Sequence, residues 1–175
     1  MKLFRSKFLT KGQAGFTLIE LIAAVAITGI IGLGASISTA QVLNNTTKNS
    51  DYTLASRDAM NAIYWISHDV LMAQSINGAG GFPQTEDLSL SWKAWNNTEY
   101  TASYTLENGV LRRIYTKNGQ VFTTVIASYI NPDEAFTYCT SNNGTLSLTI
   151  TSSVGEGDRV VSVTKVSEII SRPSL

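Results

Sequence analysis

The stretch Gly15-Phe16-Thr17-Leu18-Ile19-Glu20, followed by residues 21–42 without a single charge, decides the fold of this chain of 175 residues. A helix of about 20 mostly apolar residues is long enough to cross a hydrocarbon core about 30 Å thick. A buried core helix is the alternative, but such helices seldom stay uncharged over this length. We therefore predict a transmembrane helix over residues 16–43.

The residues before this stretch are basic, although the formal charge of the whole chain is zero. Residues 1–15 hold four cations and no acid, a charge of +4, whereas residues 16–175 hold nine cations and thirteen acids, a charge of −4. Because basic flanks stay in the cytoplasm, we expect one pass through the cytoplasmic (inner) membrane, with the C-terminal domain outside. A cleaved secretory signal peptide fits less well, since the apolar run is long and begins with an acid.

Glu20 is the one acid at the edge of this span. A carboxylate there is costly unless it is paired or has a function. If the chain were cut before Phe16, a new amine would lie at the membrane boundary, where Glu20 of the same or a neighbouring subunit would neutralise it. The alternative is an interfacial Glu that reaches back to the lipid headgroups.

Residues 15–20 are, in order, a small residue, Phe, a polar residue, two aliphatic residues and Glu, and they lie between a basic leader and an apolar helix. This arrangement resembles the processing site of type IV prepilins and pseudopilins. The resemblance covers about residues 11–35. It implies cleavage after Gly15 by a membrane prepilin peptidase, which also N-methylates Phe16. It also implies that the helix anchors the subunit and later packs in a filament core, where Glu20 guides docking through a neighbour's N-terminal amine. The implied partners are the peptidase, other pilin or pseudopilin subunits and, indirectly, an assembly platform protein and an ATPase.

Small side chains recur every four residues along the span. They are Ala24, Thr28, Gly32, Ser36 and Ala40. Such a ridge lets helix backbones approach closely in lipid, so we expect it to be a helix-packing face. The alternative is that small residues are simply frequent in membrane helices.

Beyond the span, a polar stretch at residues 44–50 precedes an amphipathic pattern from Asp51 to Ser75. Its apolar positions include Ala59, Ile66 and Val70, and we expect its polar residues to lie mostly on other faces. Those polar residues are Arg57, Asp58, Asn61, His68 and Asp69. Glycines and Pro83 at residues 77–84 end the helix.

Period-two segments follow, and Asn108-Gly109 and Asn118-Gly119 mark tight turns between them. The expected strands are 88–92, 100–106, 110–115, 121–130, 145–151 and 159–166. The prediction is an α+β, pilin-like fold with the long N-terminal helix packed on an antiparallel β-sheet. Its parts are a cytoplasmic leader (1–15), a transmembrane helix (16–43), an amphipathic helix (44–76) and an extracytoplasmic β domain (77–175).

Two downstream runs resemble J-type minor pseudopilins and related minor pilins. One is the helical run 64–73, and the other is the strand, turn and strand of 104–113 that ends in Arg112-Arg113. The closing run 163–170, followed by Arg172, fits the same outline. The resemblance implies a minor subunit.

Catalysis is not indicated, because the chain has one His, His68, and one Cys, Cys139. We expect His68 and Asp69 to point too far apart for a Ser-His-Asp relay, and we expect Cys139 to be buried. We predict no catalytic residue, no metal and no cofactor. Two acidic loops, 133–134 and 156–158, lack calcium-loop spacing, and the absence of a basic excess argues against a nucleic-acid binder.

The tryptophans are expected to anchor the core, except that Trp95 could be exposed at a subunit contact. They are Trp65, Trp92 and Trp95. The leading hypothesis is a non-enzymatic filament subunit of a type IV pilus or a type II secretion pseudopilus. The alternative is a membrane-tethered extracytoplasmic binding module that does not polymerise, and an extracytoplasmic enzyme is the weakest option.

Overall fold

The computed structural model describes residues 15–172, apart from the side chain of Asp158. The chain divides into two compact units, residues 1–45 and 46–175. One helix, α1 (Leu18–Met72), contributes to both. In the described part of the first unit, all residues after Thr17 are helical.

Helix α1 passes through the polar stretch 44–50 without a break and ends at Met72, earlier than the Ser75 expected from the apolar pattern. Tertiary pairing explains the earlier end. Ser75–Asn77 forms strand β1, and the Gln74 amide donates a hydrogen bond to the Ser91 carbonyl at 2.9 Å. From Gln74 onward, the backbone makes the hydrogen bonds of a sheet instead of those of a helix.

The second unit contains two antiparallel sheets, which confirms the predicted α+β, pilin-like class and refines the single sheet that we expected. The first sheet is a five-stranded meander in the order β1-β2-β3-β4-β5, and the second has the order β6-β7-β8. After β1, the strands are β2 (Leu88–Lys93), β3 (Glu99–Glu107), β4 (Val110–Lys117), β5 (Gln120–Ala127), β6 (Tyr138–Asn142), β7 (Thr145–Val154) and β8 (Val161–Ile170). Gly157–Arg159 forms a 3-10 turn, so the last strand begins after the expected Arg159.

Three hairpins share one turn chemistry. Asn108-Gly109, Asn118-Gly119 and Asn143-Gly144 connect consecutive strands, and φ is positive at all six residues. Asn-Gly is the preferred pair in two-residue hairpin turns because both residues tolerate positive φ at low cost. The first two turns were predicted. The third carried the same signal, and with it strand β6 could have been found.

The buried face of α1 packs against both sheets in one core. Ala59, Ala62 and Ile66 of the helix lie in a single cluster with side chains of β2, β3 and β4 and of β6, β7 and β8. Small alanines on the helix let its backbone lie close to the strands. The largest fully buried side chain is Tyr104 of β3.

Cys139 of β6 belongs to this core and is buried, as predicted. Its thiol donates a hydrogen bond to the carbonyl oxygen of Ala79 at 3.2 Å. Burial raises the pKa of the Cys139 thiol to about 12, because the thiolate would lose its hydration. The neutral thiol therefore serves as a packing group at neutral pH.

Candidate functional site at the start of the long helix

The first turn of α1 is closed by Thr17 and Glu20. The Thr17 amide and the Thr17 hydroxyl each donate a hydrogen bond to Oε2 of Glu20 at 2.9 Å. In return, the Glu20 amide donates to Oγ1 of Thr17 at 3.4 Å. This reciprocal pattern is a capping box, in which the N-cap side chain and the third helical residue satisfy each other's backbone donors.

The capping box gives Glu20 a role that the sequence reasoning missed, although the Thr-x-x-Glu spacing signals it. A carboxylate in the first turn also interacts favourably with the positive end of the helix dipole. Gly15 and Phe16 precede the helix, and the Phe16 side chain is 88% exposed. The leader residues 1–14, which carry four Lys and Arg residues, lie outside the described residues.

The predicted packing residues lie on α1 with their side chains exposed. They are Ala24, Thr28, Gly32 and Ser36. The Thr28 hydroxyl donates to the Ala24 carbonyl at 2.8 Å, and the Ser36 hydroxyl donates to the Gly32 carbonyl at 2.9 Å. Both hydroxyls are therefore satisfied within the helix, which makes them compatible with an apolar environment.

Among the described residues, α1 is the one helix that is long and apolar enough to cross a membrane. None of the residues in its most apolar window is buried within the chain. Large apolar side chains such as Ile30 and Leu33 are about two-thirds exposed. An apolar surface of this extent favours lipid or other helices as its surroundings.

A match to a protein family covers the start of the long helix. Residues 10–36 match the family described as the prokaryotic N-terminal methylation motif. The chain carries a prepilin-type methylation motif. The match includes Gly15, Phe16 and Glu20 and extends through the ridge of small residues to Ser36. Neither the comparison with curated proteins nor that with solved structures gave a match.

The prepilin-type motif confirms the resemblance to type IV prepilins and pseudopilins. Chains with this motif are in general processed by a prepilin peptidase, assemble with other pilins and act as structural subunits. The apolar N-terminal helix and the motif together fit membrane anchoring. The match ends within α1, before the amphipathic half of the helix and the two sheets.

In the second unit, residues 46–175, which we call the head, two acids occupy the buried face of α1. We expected Asp58 and Asp69 on other faces of the helix, and this was wrong, because both are buried. Positions 55, 58, 62, 66 and 69 themselves form a three-and-four repeat along one helix face. The periodicity is present in the sequence, but the polar side chains at positions 58 and 69 conceal that these positions belong to the core.

Each buried acid is held by partners from the sheets. The Asp69 carboxylate accepts two hydrogen bonds from the Arg113 guanidinium, at 2.6 and 2.8 Å, and one from the Tyr104 hydroxyl at 2.6 Å. The Asp58 carboxylate accepts a hydrogen bond from the Ser128 amide at 2.9 Å. These bonds join α1 to β3, to β4 and to the end of β5, so they fix the position of the helix on the strands.

Charge and burial shift the pKa values of the partners of Asp69. Burial acts to lower the pKa of the Arg113 guanidinium, but the bonds to Asp69 outweigh it and leave the pKa raised. Burial, reinforced by the negative charge of Asp69, raises the pKa of the Tyr104 hydroxyl well above its ordinary value. Arg113 therefore stays charged, and Tyr104 stays a neutral donor.

The catalytic arrangement that we considered does not form around His68. Nδ1 of His68 lies 3.5 Å from Oδ1 of Asp69, closer than we expected for adjacent helix residues. This Asp69 oxygen also accepts a hydrogen bond from Arg113 at 2.8 Å, and no serine hydroxyl in residues 15–172 is hydrogen-bonded to the imidazole. No group of three His, Cys, Asp or Glu that could hold a metal ion occurs within the described part of the chain.

Of the three tryptophans, which we expected to anchor the core, Trp92 packs against the core cluster as a partly buried side chain. None of the three is fully buried. Trp65 lies at the surface, with the Arg113 guanidinium carbon 5.2 Å from its ring centre, and Trp92 is half-buried. Trp95 is 90% exposed, as we expected for a residue available to a partner. Tyr104, Ile66 and aliphatic strand residues fill the core instead.

The buried Asp69 and Arg113 pair yields a test of how the helix is held. We expect Asp69→Asn to lower the free energy of unfolding by about 3–5 kcal/mol, because it leaves the Arg113 charge without its buried partner. Tyr104→Phe removes one hydrogen bond and is expected to cost about 1–2 kcal/mol. Thermal unfolding of the full chain in detergent micelles measures both, with Glu168→Gln on exposed β8 as the neutral control. Equal stability of Asp69→Asn and the control would contradict the account.

Proposed function

We propose that this chain is a non-enzymatic, minor subunit of a type IV pilus or a type II secretion pseudopilus. The observation that carries the proposal is the methylation motif at residues 10–36, which overlaps the uncharged stretch 21–42 of α1, whose large apolar side chains are exposed. The downstream resemblance to J-type minor pseudopilins supports the minor class. The proposed work of the chain is assembly, driven by a platform protein and an ATPase of the same system.

The proposal includes the processing of the N-terminus. Prepilin peptidase cuts after Gly15 on the cytoplasmic side of the inner membrane and methylates the new amine of Phe16. Residues 16–43 then span the membrane, the rest of α1 continues to Met72 in the head, and the strands from Ser75 onward form the extracytoplasmic β domain. The exposure of Phe16 and the open space around Gly15 support access of an enzyme to this bond.

Glu20 is proposed to guide docking through the N-terminal amine of a neighbouring subunit. Its carboxylate already caps the first turn by accepting bonds from Thr17. A carboxylate has room for about four hydrogen-bond donors on its two oxygens. Both of the Thr17 bonds fall on Oε2, so Oε1 is the oxygen that we assign to the incoming amine.

Gly15→Ala tests the cleavage site. Because a Cβ at position 15 would meet no atom within 4 Å, the substitution leaves the folded chain undisturbed and changes only what the peptidase encounters. We expect the uncut form to accumulate in the membrane, as seen by its larger size on an immunoblot. Gly29→Ala, at an equally open position, is the control and is expected to be cut normally. Normal size reduction of the Gly15 variant would show that the cleavage assignment is wrong.

Two substitutions at Glu20 separate docking from helix capping. Glu20→Gln keeps an acceptor for the capping box but removes the charge, whereas Glu20→Val removes both. If the charge guides docking, both variants are inserted and cut, and both lose incorporation into the sheared filament fraction by at least about tenfold. Normal incorporation of Glu20→Gln would leave capping as the role of this residue and remove it from docking.

Gly32→Leu tests the ridge of small residues as a packing face. Position 32 has no neighbouring atom within 4 Å in the isolated subunit, so a leucine there is tolerated until another helix approaches. We expect membrane insertion to be intact and filament incorporation to fall several-fold. Gly29→Leu is the matched control, since Gly29 has the same open surroundings but lies off the ridge. Equal incorporation of the two variants would contradict the packing role.

A further inference from the structure

A cleft of about 380 Å³ lies in the head next to the C-terminal end of α1. The cleft forms because α1 ends at Met72, whereas the sheet face that α1 covers continues further along β3 and β4. Tyr100, Ala102 and Tyr104 alternate along β3 and share this face. Ala102 and Tyr104 are buried, whereas Tyr100 is only half-buried.

Aromatic rings form the floor of this cleft. Trp92 and Tyr100, directly paired across β2 and β3, are stacked with ring centres 5.6 Å apart and planes inclined by 8°. Tyr115 of β4 adds a third ring, with its centre 6.1 Å from that of Tyr100. Trp95, on the loop after β2, adds a ring that is 90% exposed.

Cations surround these rings. Nζ of Lys117 lies 5.7 Å from the ring centre of Tyr100, and the Arg172 guanidinium carbon lies 5.9 Å from that of Trp95. Among the described side chains, which exclude that of Asp158, no carboxylate lies within 4 Å of either cation. Lys93 has such a partner, because its Nζ lies 3.6 Å from the Glu99 carboxylate on the rim.

The cleft is basic although the head as a whole is acidic. Residues 46–172 contain nine Lys and Arg and twelve Asp and Glu. Four of those cations line the cleft (Lys93, Arg113, Lys117 and Arg172), against one acid, Asp69. Asp69 is already engaged by Arg113 and Tyr104, so the local charge is positive.

These features select a ligand that combines a carboxylate with an apolar or aromatic group. The exposed Trp95 ring offers a flat apolar surface, and Lys117 and Arg172 offer the positive charge. A nucleic acid is less well matched. Its affinity depends on many phosphate contacts, and the described cleft has two cations without an acidic partner on a head that is otherwise acidic.

The same chain exposes a segment of the required chemistry at residues 133–136. Asp133, Glu134 and Phe136 are all exposed, Phe136 at 48%. The turn has a fixed shape, because the Ala135 amide donates to Oδ1 of Asp133 and the Phe136 amide donates to the Asp133 carbonyl, both at 2.9 Å. A preordered turn loses little conformational entropy on binding.

We propose that the cleft of one subunit receives the Asp133–Phe136 turn of a second copy, with Glu134 at Lys117 and Arg172 and Phe136 on Trp95. The inference rests on the proposed function as a filament subunit. The contact joins two different surfaces, and a contact of this kind propagates along a helical assembly instead of closing into a two-fold dimer. Two adjacent copies are sufficient, so the contact is compatible with a minor subunit.

Site-specific crosslinking in native membranes tests the contact. Two differently tagged full-length chains, both carrying Cys139→Ala, are co-expressed. One carries Ala94→Cys in the cleft and the other Ala135→Cys in the turn. We expect a bismaleimide to join the two tags. No product above that of chains without the new cysteines would overturn the inference.

Charge reversal then tests the pairing itself. Lys117→Glu with Arg172→Glu in the cleft chain, or Glu134→Lys in the turn chain, is expected to lower the product by at least about tenfold, since like charges at a contact cost more than 1.4 kcal/mol. Combining the two sets should restore it to within about twofold. Lys165→Glu and Glu168→Lys on β8 are the matched controls and should change nothing. The proposal is overturned if charge reversal leaves the amount of crosslinked product unchanged, or if combining the two sets of substitutions does not restore that amount.

Two further readouts separate this inference from the proposed function. If the crosslink is absent while the chain still enters the sheared filament fraction, only the inference fails. If the crosslink forms in a chain that never enters filaments, the contact stands and the filament function fails. Saturable binding of single-stranded oligothymidylate that Lys117→Glu abolishes, with no crosslink, would overturn the inference in favour of a nucleic-acid ligand.

Discussion

The exposed apolar surface of residues 18–43 is the constraint on which the other features of the N-terminal segment depend. None of the most apolar window of α1 is buried within the chain, so its free energy is lowered only by lipid or by other helices. The hydroxyls of Thr28 and Ser36 bond within the helix, and the capping box satisfies donors at its first turn. Each arrangement removes a polar group that would otherwise be unsatisfied in an apolar environment.

In the head, the same helix packs against the strands of both sheets. From residue 46 onward, alanines on one face of α1 bring the helix close to the strands, and Asp58 and Asp69 bond to the sheet residues. Apolar contacts alone permit a helix to slide or rotate on a sheet, whereas a bidentate bond to Arg113 has one geometry. The buried carboxylates thus specify position, and the apolar contacts supply most of the driving force.

The structural features that the sequence predicted most accurately are those set by residues close together in the chain. The apolar run, the period-two strands and two of the Asn-Gly turns follow from residue type and spacing, and the structure agrees with each of them. The methylation motif was visible for the same reason, since its residues are contiguous.

What the sequence did not predict depends on pairing between distant residues. The bond between Asp69 and Arg113 joins positions 44 residues apart, and the periodicity of the helix alone gave no reason to place a charge in the core. The end of α1 at Met72 is set by the pairing of β1 with β2, and the division into two sheets is set by which strands meet in space. The cleft beside Met72 follows from both.

The central claim is that the working N-terminus of this protein is a methylated phenylalanine at the start of α1. Mass spectrometry of the N-terminal peptide, taken from the protein in its native membranes, tests this most directly. The account predicts a peptide that begins at Phe16 and carries one added methyl group on its α-amine. A peptide that retains residues 1–15, or that begins beyond the apolar helix, would contradict it.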